Sequence, residues 1–330
     1  MTPALEFARR HAGYFVFAMV IMTIPVYLSD SYYLSVLAFM GTRFMMALGL
    51  SLLLGQAGQV SLGQAAFVGI GAYGAAILTT RVGADPWLAM ATAALLSAVI
   101  AGLVGIPTLK LKGHYLAMAT LGINEIIYIL LVQLKGLTNG TDGITGIPSL
   151  SIGGLDFGGP KAYHLLVWGV GLVMLRFSLN LTRSRVGRSL RALRRSEPAA
   201  ESLGVDTSYR KVQVFMLAAV FASIAGSFDA YYVNYISPES YSISFSIILV
   251  TGVIIGGLRS VWGALWGSIV IVVLPEILKR FNEDVTNLVF GILLIVIMIF
   301  SGRQERGFLQ WRRLRRSGPG QDSAPPEVEE

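Results

Sequence analysis

The sequence predicts an all-α membrane protein, a polytopic transmembrane helical bundle of about ten helices, on three observations. Only 14% of the 330 residues are charged, and the mean hydropathy is +0.64. Apolar runs close to the roughly 20 residues needed to cross a hydrocarbon core recur along the chain. Because unpaired backbone polar groups are costly in lipid, each run is expected to be a helix, broken only where protein surrounds it.

Ten apolar runs are predicted to cross the membrane. They cover residues 12–28, 33–54, 61–80, 86–107, 114–134, 163–179, 212–234, 243–258, 261–278 and 285–301. The first run follows Arg9 and Arg10, and no small-x-small cleavage site comes after it. We therefore interpret it as an uncleaved helix rather than a signal peptide. The transmembrane domain then spans 12–301, between a cytoplasmic N-terminus at 1–11 and a cytoplasmic tail at 302–330.

The distribution of the basic residues predicts the orientation of the chain. A net charge of +7 would suggest a nucleic-acid partner in a soluble protein, but here the arginines and lysines cluster in alternate loops. Starting from an inner N-terminus, nineteen of the 26 basic residues fall on the inner side, and five fall in outer loops. Inner loops carry the excess of Lys and Arg in membrane proteins. The sequence therefore predicts N-in and C-in topology, contact with membrane lipid and no nucleic-acid partner.

This topology makes a first testable prediction. A reporter fused after Arg316 is expected to be cytoplasmic, whereas one inserted near Gly154 is expected to be external, because ten crossings place these positions on opposite sides. The measurement is the activity of a paired cytoplasmic and external reporter in whole cells. Both reporters on one side would contradict ten crossings with N-in and C-in ends.

Composition excludes several kinds of chemistry. The chain has no cysteine, so it has neither disulfides nor thiolate metal sites. Its three histidines, His11, His114 and His164, are far apart in sequence, which argues against a zinc centre. No His-Glu-x-x-His, Gly-x-Ser-x-Gly or Walker A pattern is present. We therefore expect a protein that is not an enzyme, binds no metal or cofactor and does not hydrolyse ATP itself.

Two loops are too long to be simple connectors. The outer loop, 135–162, mixes turn residues with small apolar ones, which is typical either of a small folded cap or of a solvated connector. The inner loop, 180–211, is strongly basic. The tail after residue 316 is acidic and rich in proline, and is expected to be disordered.

A separate short helix is predicted within the inner loop, over residues 197–203. Ser196 is a suitable N-cap, Glu197 and Pro198 suit the first turn, and Gly204 suits the end. So short a helix is marginal alone. Its apolar residues, predicted to be exposed, therefore indicate a partner protein; they are Ala199, Ala200, Leu203 and Val205. The alternative is a basic loop that only enforces orientation.

Several residues inside the third and fifth runs are candidates for helix packing or for lining a pathway. Glycines are dense from Gly55 to Gly74, a composition that allows either close helix approach or a local break. The candidates are Gly63, Gln64, Phe67, Gly71, Thr120, Asn124 and Glu125.

Charged residues within the predicted helices need partners, because a charge is expensive in the bilayer. Arg43 falls near the middle of the second helix and Glu125 near the middle of the fifth. We predict an intramembrane pair between them, with a role in lining a polar route as the alternative. Asp229 lies closer to the outer end of its helix, and so does Glu276.

Five strings in this sequence resemble a known family. They are GQVSLGQAAFVGIGAY (58–73), LKGHYLAMATLGINEI (111–126), TNGTDGITGIP (138–148), SRVGRSLRALRRSEPAAESLGV (184–205) and ISPESYSISFSIILVTGVIIGG (236–257), and LPEIL (274–278) fits as well. Together they are similar to the LivM-type permease of branched-chain amino acid ABC importers, in order, from about residue 35 to residue 301. The sequence departs from the family pattern at Gln64, where histidine is common, at Asn124, where glycine is common, and at Arg259, where a small residue is usual.

The resemblance implies a permease in the bacterial cytoplasmic (inner) membrane that works with a second permease, two ATPase subunits and an extracytoplasmic binding protein. It also implies that the helix beginning at Glu197 is the coupling helix that sits in a cleft of the ATPase. Relatives carry urea, amides and aromatic acids as well as branched-chain amino acids. Two other classes are an ion-coupled secondary transporter that uses Glu125 or Asp229, and a membrane scaffold without transport.

Overall fold

Twelve α-helices account for most of the residues that this computed structural model describes, which are 3–28, 30–152, 155–258, 260–278 and 292. The helices are α1 (Pro3–Tyr27), α2 (Ser31–Leu50), α3 (Gln64–Arg81), α4 (Pro86–Thr108), α5 (His114–Gln133), α6 (Lys135–Thr138), α7 (Pro160–Arg183), α8 (Arg185–Arg195), α9 (Glu197–Ser202), α10 (Thr207–Val233), α11 (Ile243–Gly256) and α12 (Gly263–Leu278). The strands in these residues have two residues each: β1 (Ile144–Thr145), β2 (Ser151–Ile152), β3 (Leu155–Asp156) and β4 (Tyr235–Ile236). The predicted all-α class is confirmed.

Five of the described helical segments are long and apolar enough to cross a membrane. They are Ser31–Gln56, Pro86–Thr108, His114–Gln133, Pro160–Arg183 and Thr207–Val233. Shorter apolar helices cover Gly13–Tyr27, Ile243–Gly256 and Gly263–Glu276. The predicted runs from 12–28 to 261–278 therefore fall on helices, although α3 begins only at Gln64, and the run at 285–301 lies outside the described residues. The number of crossings and the side of each terminus stay predictions.

Short polar side chains fix where several helices begin. The Asp30 carboxylate accepts a hydrogen bond from the backbone N–H of Tyr32 at 2.9 Å, at the start of α2. Asp85 does the same for α4, whose first residue is Pro86, and Asp206 does so for α10. Each carboxylate satisfies an N–H group that has no partner within its helix. The positive end of the helix dipole stabilises the negative charge of the carboxylate.

Helix α10 is the centre of the bundle and packs against α2, α3 and α4. The small residues that it buries include Ala218, Ala219, Ala222, Ala225 and Gly226. A Cβ atom at Gly226 would lie 2.1 Å from the carbonyl oxygen of Val68, and one at Gly71 would lie 2.1 Å from that of Ser223. The backbones of α3 and α10 are therefore in direct contact, as small residues allow in membrane helices.

This contact makes Gly71 a sensitive position. We expect Gly71→Ala to destabilise the protein by about 1–3 kcal/mol, because the new methyl group would meet backbone rather than a movable side chain. Gly122→Ala in α5 is the control, since a Cβ atom there meets nothing within 4 Å. The measurement is the thermal midpoint of the purified, detergent-solubilised protein. Equal midpoints for the two variants would contradict the close α3–α10 contact.

The helix termini meet at two ends of the bundle. At the first, here called the basic end, α8, α9 and the start of α10 meet the C-terminal ends of α2 and α4. The Arg194 guanidinium donates to the carbonyl of Gly55, and the Lys211 ammonium donates to that of Leu109 at 3.5 Å. At the second, here called the loop end, the Tyr231 hydroxyl donates to the carbonyl of Pro86 at 3.0 Å.

The loop 135–162 is folded against the loop end. Strand β1 pairs antiparallel with β4, which follows α10. Ile144, Ile147 and Leu150 are buried. The Asn234 side-chain amide donates to the carbonyl of Ile147 at 2.6 Å, and the Trp87 indole donates to that of Ser151 at 2.9 Å. Of the two interpretations of this loop, the described part therefore favours a packed cap over a solvated connector.

Candidate functional site

The helical structure between α2 and α3 is interrupted inside the bundle. Helix α2 ends in a π-helical turn, Ser51–Gln56, and residues 57–63 are irregular before α3 begins at Gln64. The Gln64 amide nitrogen donates to the carbonyl of Ala218, near the middle of α10, at 2.9 Å. Helix α3 therefore starts in the interior of the bundle rather than at its surface. Non-helical backbone at this depth is tolerated only where protein or a cavity surrounds it.

Side chains from two other helices cap this interior break. The N–H of Leu62 donates to the Thr120 hydroxyl at 3.0 Å, and that of Ala66 donates to the Asn124 side-chain oxygen at 2.8 Å. The N–H of Ala65 donates to the hydroxyl of Ser246, on α11, at 2.9 Å. The first N–H groups of a helix have no partner within it, so without these caps they would stand unpaired in a low dielectric.

Most of the residues predicted to pack helices or to line a pathway make packing or capping contacts around the helix break. Thr120 and Asn124 cap the break; Gly63 would carry a Cβ atom only 2.8 Å from the carbonyl of Thr120; and Phe67 packs edge-to-face on Phe215 with ring centroids 5.5 Å apart. The side chain of Gln64 is fully buried, and its oxygen has no hydrogen-bond partner among the described residues.

The intramembrane charge pair joins Arg43 to Asp229, not to Glu125. The Arg43 guanidinium contacts the Asp229 carboxylate, with 21% and 12% of the two side chains exposed. Among the described residues, no ion pair involves Glu125, which lies half-buried on α5. The predicted Arg43–Glu125 pair was therefore wrong.

Helix packing explains the difference. Helix α2 packs on α10, whereas the main neighbour of α5 is α3. Helices α2 and α10 are antiparallel, and Cα–Cβ bonds lean toward the N-terminus of their own helix. The side chain of Arg43 consequently leans toward the loop end and that of Asp229 toward the basic end, so the two charges meet.

A cavity of about 140 Å³ lies against this ion pair at the loop end of the bundle. It is lined by Phe39, Arg43, Asp229, Val233, Tyr235, Ile236, Ser240, Tyr241 and Phe245. The Arg43 guanidinium lies 4.9 Å from the ring centroid of Phe245, and the second carboxylate oxygen of Asp229, Oδ1, is buried without a hydrogen-bond partner among the described residues. The cavity thus combines one cation, one anion, several apolar side chains and the hydroxyl-bearing residues Tyr235, Ser240 and Tyr241.

The short helix expected at 197–203 is present at the basic end as α9, Glu197–Ser202. The Ser196 hydroxyl accepts a hydrogen bond from the N–H of Ala199 at 3.4 Å. Gly204 has φ of +78°, a left-handed conformation that ends a helix and that glycine adopts without strain. Cap, first-turn proline and terminal glycine therefore act as the sequence predicted, and the helix ends one residue earlier.

Only part of α9 faces away from the rest of the chain. Pro198, Ala199, Leu203 and Gly204 are exposed, and Leu203 keeps 81% of its accessible surface. Ala200, in contrast, is 1% exposed because α9 packs on α8 and α10. The expectation that Ala200 belongs to the exposed apolar side was therefore wrong. A large residue at position 200 would disturb folding, so Ala199 and Leu203 are the positions that test docking.

Glu197 connects α9 to the membrane helices. Its carboxylate contacts the ammonium of Lys211, on α10, and lies 3.4 Å from that of Lys112, just before α5. Burial of the carboxyl opposes ionisation, but Lys211 and then Lys112 outweigh it and lower the pKa of Glu197. The stability from this cluster is therefore present above the ordinary glutamate pKa of about 4.3 and lost as pH falls through the lowered value.

The same end of the bundle brings α8 and α9 to the interior break. Arg194, on α8, donates to the carbonyl of Gly55 in the π-helical turn, and its aliphatic stem lies against Gly58. A cavity of about 180 Å³ at this end is lined by residues 58–60 and by Lys112, Glu197 and Lys211, among others. Helix α8 therefore contacts the segment that precedes α3, and α9 contacts α10 through Glu197 and Lys211.

These features define a multi-pass helical membrane protein. It has a helix break in its interior and, at the basic end, a partly exposed helix, α9, which ion pairs connect to the bundle. Residues 32–298 match the family model described as a branched-chain amino acid transport system, permease component. The chain belongs to this family.

Curated relatives agree with the family match. The chain is 34% identical over 278 residues to the high-affinity branched-chain amino acid transport system permease protein LivM of Escherichia coli K12, over 77% of this chain and 65% of that protein. It is 25% identical over 183 residues to the LivH permease protein of the corresponding Salmonella typhimurium system (52% and 58%), and 27% identical over 225 residues to the ribose import permease protein RbsC of Escherichia coli K12 (66% and 66%). The match thus spans about 65% of the length of LivM. No solved structure matches.

Proposed function

We propose that this chain is the membrane-spanning permease subunit of an ABC importer that translocates branched-chain or related hydrophobic amino acids. The observation that carries the proposal is the family match over residues 32–298. The LivM relative is named for the same substrate class. In this proposal the chain lies in the bacterial inner membrane with N-in and C-in topology, is not an enzyme, and binds no cofactor of its own.

The energy would come from partner subunits. Helix α9 supports this part of the proposal, because it is a short capped helix with an exposed leucine beside its C-terminus. Such a helix is small enough to dock in a cleft of a partner protein. The ion pairs of Glu197 with Lys211, on α10, and with Lys112 connect this helix to the bundle. Two ATPase subunits would dock at this end, and they would use the ATP.

The proposed assembly contains two further partners. Similarity to both LivM and LivH permeases favours a pair of related permease chains, with this chain in the LivM position. An extracytoplasmic binding protein would deliver the amino acid at the loop end. The folded loop that packs on α4 and α10 there offers a structured surface for such delivery.

The test is transport by the reconstituted complex. Proteoliposomes that contain this chain with the LivH-like permease, the ATPase and the binding protein are expected to take up leucine only when ATP is supplied to the ATPase side. Uptake should persist with an ionophore that collapses ion gradients. Loss of uptake with the ionophore, at constant ATP, would support an ion-coupled transporter that uses Asp229 or Glu125.

The competing substrates are separated in the same assay. Urea, amides and aromatic acids are offered as unlabelled competitors of leucine uptake, and similarity to a ribose import permease makes ribose a useful further competitor. We expect isoleucine and valine to compete and the other compounds not to compete. ATP-driven uptake of one of the others, with none of leucine, would keep the transport class and replace the substrate.

A further inference from the structure

We infer that the cavity beside Arg43 and Asp229 is a weak, transient binding site for the zwitterion of an amino acid with an apolar side chain. The inference deepens the proposed function and rests on it. It names this chain's own contact with the cargo, at the loop end of the bundle.

The charges in the cavity match the charges of the ligand. An α-amino acid carries its carboxylate and its ammonium group on one carbon atom, and Arg43 and Asp229 present a cation and an anion in direct contact. A guanidinium binds a carboxylate through two parallel hydrogen bonds. The Oδ1 atom of Asp229, buried without a described partner, is an acceptor that an ammonium group would satisfy. Both ends of the zwitterion would therefore find a partner of opposite charge.

The remaining walls suit an apolar side chain. The apolar part of the lining is formed by Phe39, Val233, Ile236 and Phe245. The cavity volume of about 140 Å³ is comparable with the volume of one amino acid. Burial of apolar surface contributes about 25 cal/mol for each Å² removed from water.

The pairing of Arg43 with Asp229 at the cavity makes binding of the ligand weak and reversible. The ligand has to replace an existing ion pair with two new ones, so the net gain is small compared with binding to isolated charges. No buried charge is left alone before the ligand arrives or after it leaves. A site on a transport pathway needs this property, because tight binding there would stop release.

The experiment measures leucine binding to the purified permease complex without the binding protein. Saturation-transfer difference NMR suits weak ligands, and the probes are leucine, 4-methylpentanoate, which lacks the ammonium group, and leucinamide, which lacks the carboxylate. We expect methyl signals from leucine and signals at least about fivefold smaller from each analogue. Equal signals from all three probes, or none from leucine, would overturn the inference.

Two variants locate the signal. In the double variant Arg43→Gln/Asp229→Asn no charge is left unpaired, and we expect it to fold but to lose the leucine signal. Ser240→Trp places a large side chain in the cavity while both charged residues are kept, so it should also remove the signal. Ser244→Trp, on an exposed residue of α11 that does not line the cavity, should keep it. A leucine signal that survives in the double variant or in Ser240→Trp would contradict the site.

The uptake assay separates this inference from the proposed function. A complex that imports leucine with ATP but shows no zwitterion-dependent signal would refute the cavity site and leave the importer intact. A complex that imports no branched-chain amino acid would refute the proposed substrate. Both results are obtained from the same protein preparation.

Discussion

Asp229→Asn is expected to destabilise the protein by about 3–5 kcal/mol, because it leaves the guanidinium of Arg43 without its anion in a mostly buried site. Arg43→Gln should have an effect of similar size, since it leaves the carboxylate unpaired. The measurement is the thermal midpoint and the yield of monodisperse protein in detergent. These are the largest stability effects that we expect from a change of a single side chain.

The double variant and a matched carboxylate test the physical reason. Arg43→Gln/Asp229→Asn should recover most of the loss, because a neutral pair leaves no buried charge alone. Glu125→Gln is the control, since Glu125 has no ion pair among the described residues, and it should change stability by less than about 0.5 kcal/mol. A large loss with Glu125→Gln, together with a stable Asp229→Asn variant, would restore the pair first predicted from the sequence.

Leu203→Glu is expected to leave the complex folded while it reduces substrate-stimulated ATP hydrolysis and leucine uptake by at least about tenfold. The side chain is 81% exposed, so the substitution removes almost no contact within the chain. In the proposed docking the new carboxylate would be buried in an apolar cleft without a partner. A cost above about 1.4 kcal/mol suffices for a tenfold effect.

The control for this variant lies at the other end of the bundle. Val82, just after the last residue of α3, is 68% exposed and lies outside the loop 135–162, and Val82→Glu likewise replaces an exposed aliphatic side chain with a carboxylate. We expect normal hydrolysis and uptake from it. If Leu203→Glu behaves like Val82→Glu in both assays, α9 does not transmit movement between the ATPase and the membrane helices.

Local features of the fold were predictable because they depend on neighbours in sequence. Apolar runs gave the helices, and the run of Ser196, Pro198 and Gly204 gave α9 to within one residue. The caps and the terminal glycine act through bonds that span only a few residues, so a pattern of residue types is enough to find them.

Partners across the bundle were not predictable in the same way. The choice between Asp229 and Glu125 depends on which helix lies beside α2 and on the direction in which each side chain leans. Ser246 was missed as a cap of α3 because it comes from a residue far along the chain, with no local signal. The polar residues Thr120 and Asn124 within an apolar run were the available indication that some backbone needed partners there.

The substitution of asparagine for the more usual glycine of the LivM-type pattern at position 124 has a structural explanation here. Its side-chain oxygen accepts a hydrogen bond from Ala66 and lies 3.3 Å from the hydroxyl of Ser246. Asn124 therefore joins α5 and α11 to the start of α3. The residue therefore stabilises the break itself.

Cross-linking tests the central claim, that the basic end of this bundle docks an ATPase through α9, most directly. The chain has no cysteine, so Leu203→Cys provides a single thiol in this subunit. In the assembled complex, a short thiol-to-amine reagent on Leu203→Cys is expected to join this chain to the ATPase subunit. Val82→Cys, at a position that is 68% exposed just beyond α3 at the loop end, should not do so. A cross-link to the ATPase from Val82→Cys and none from Leu203→Cys would contradict the account.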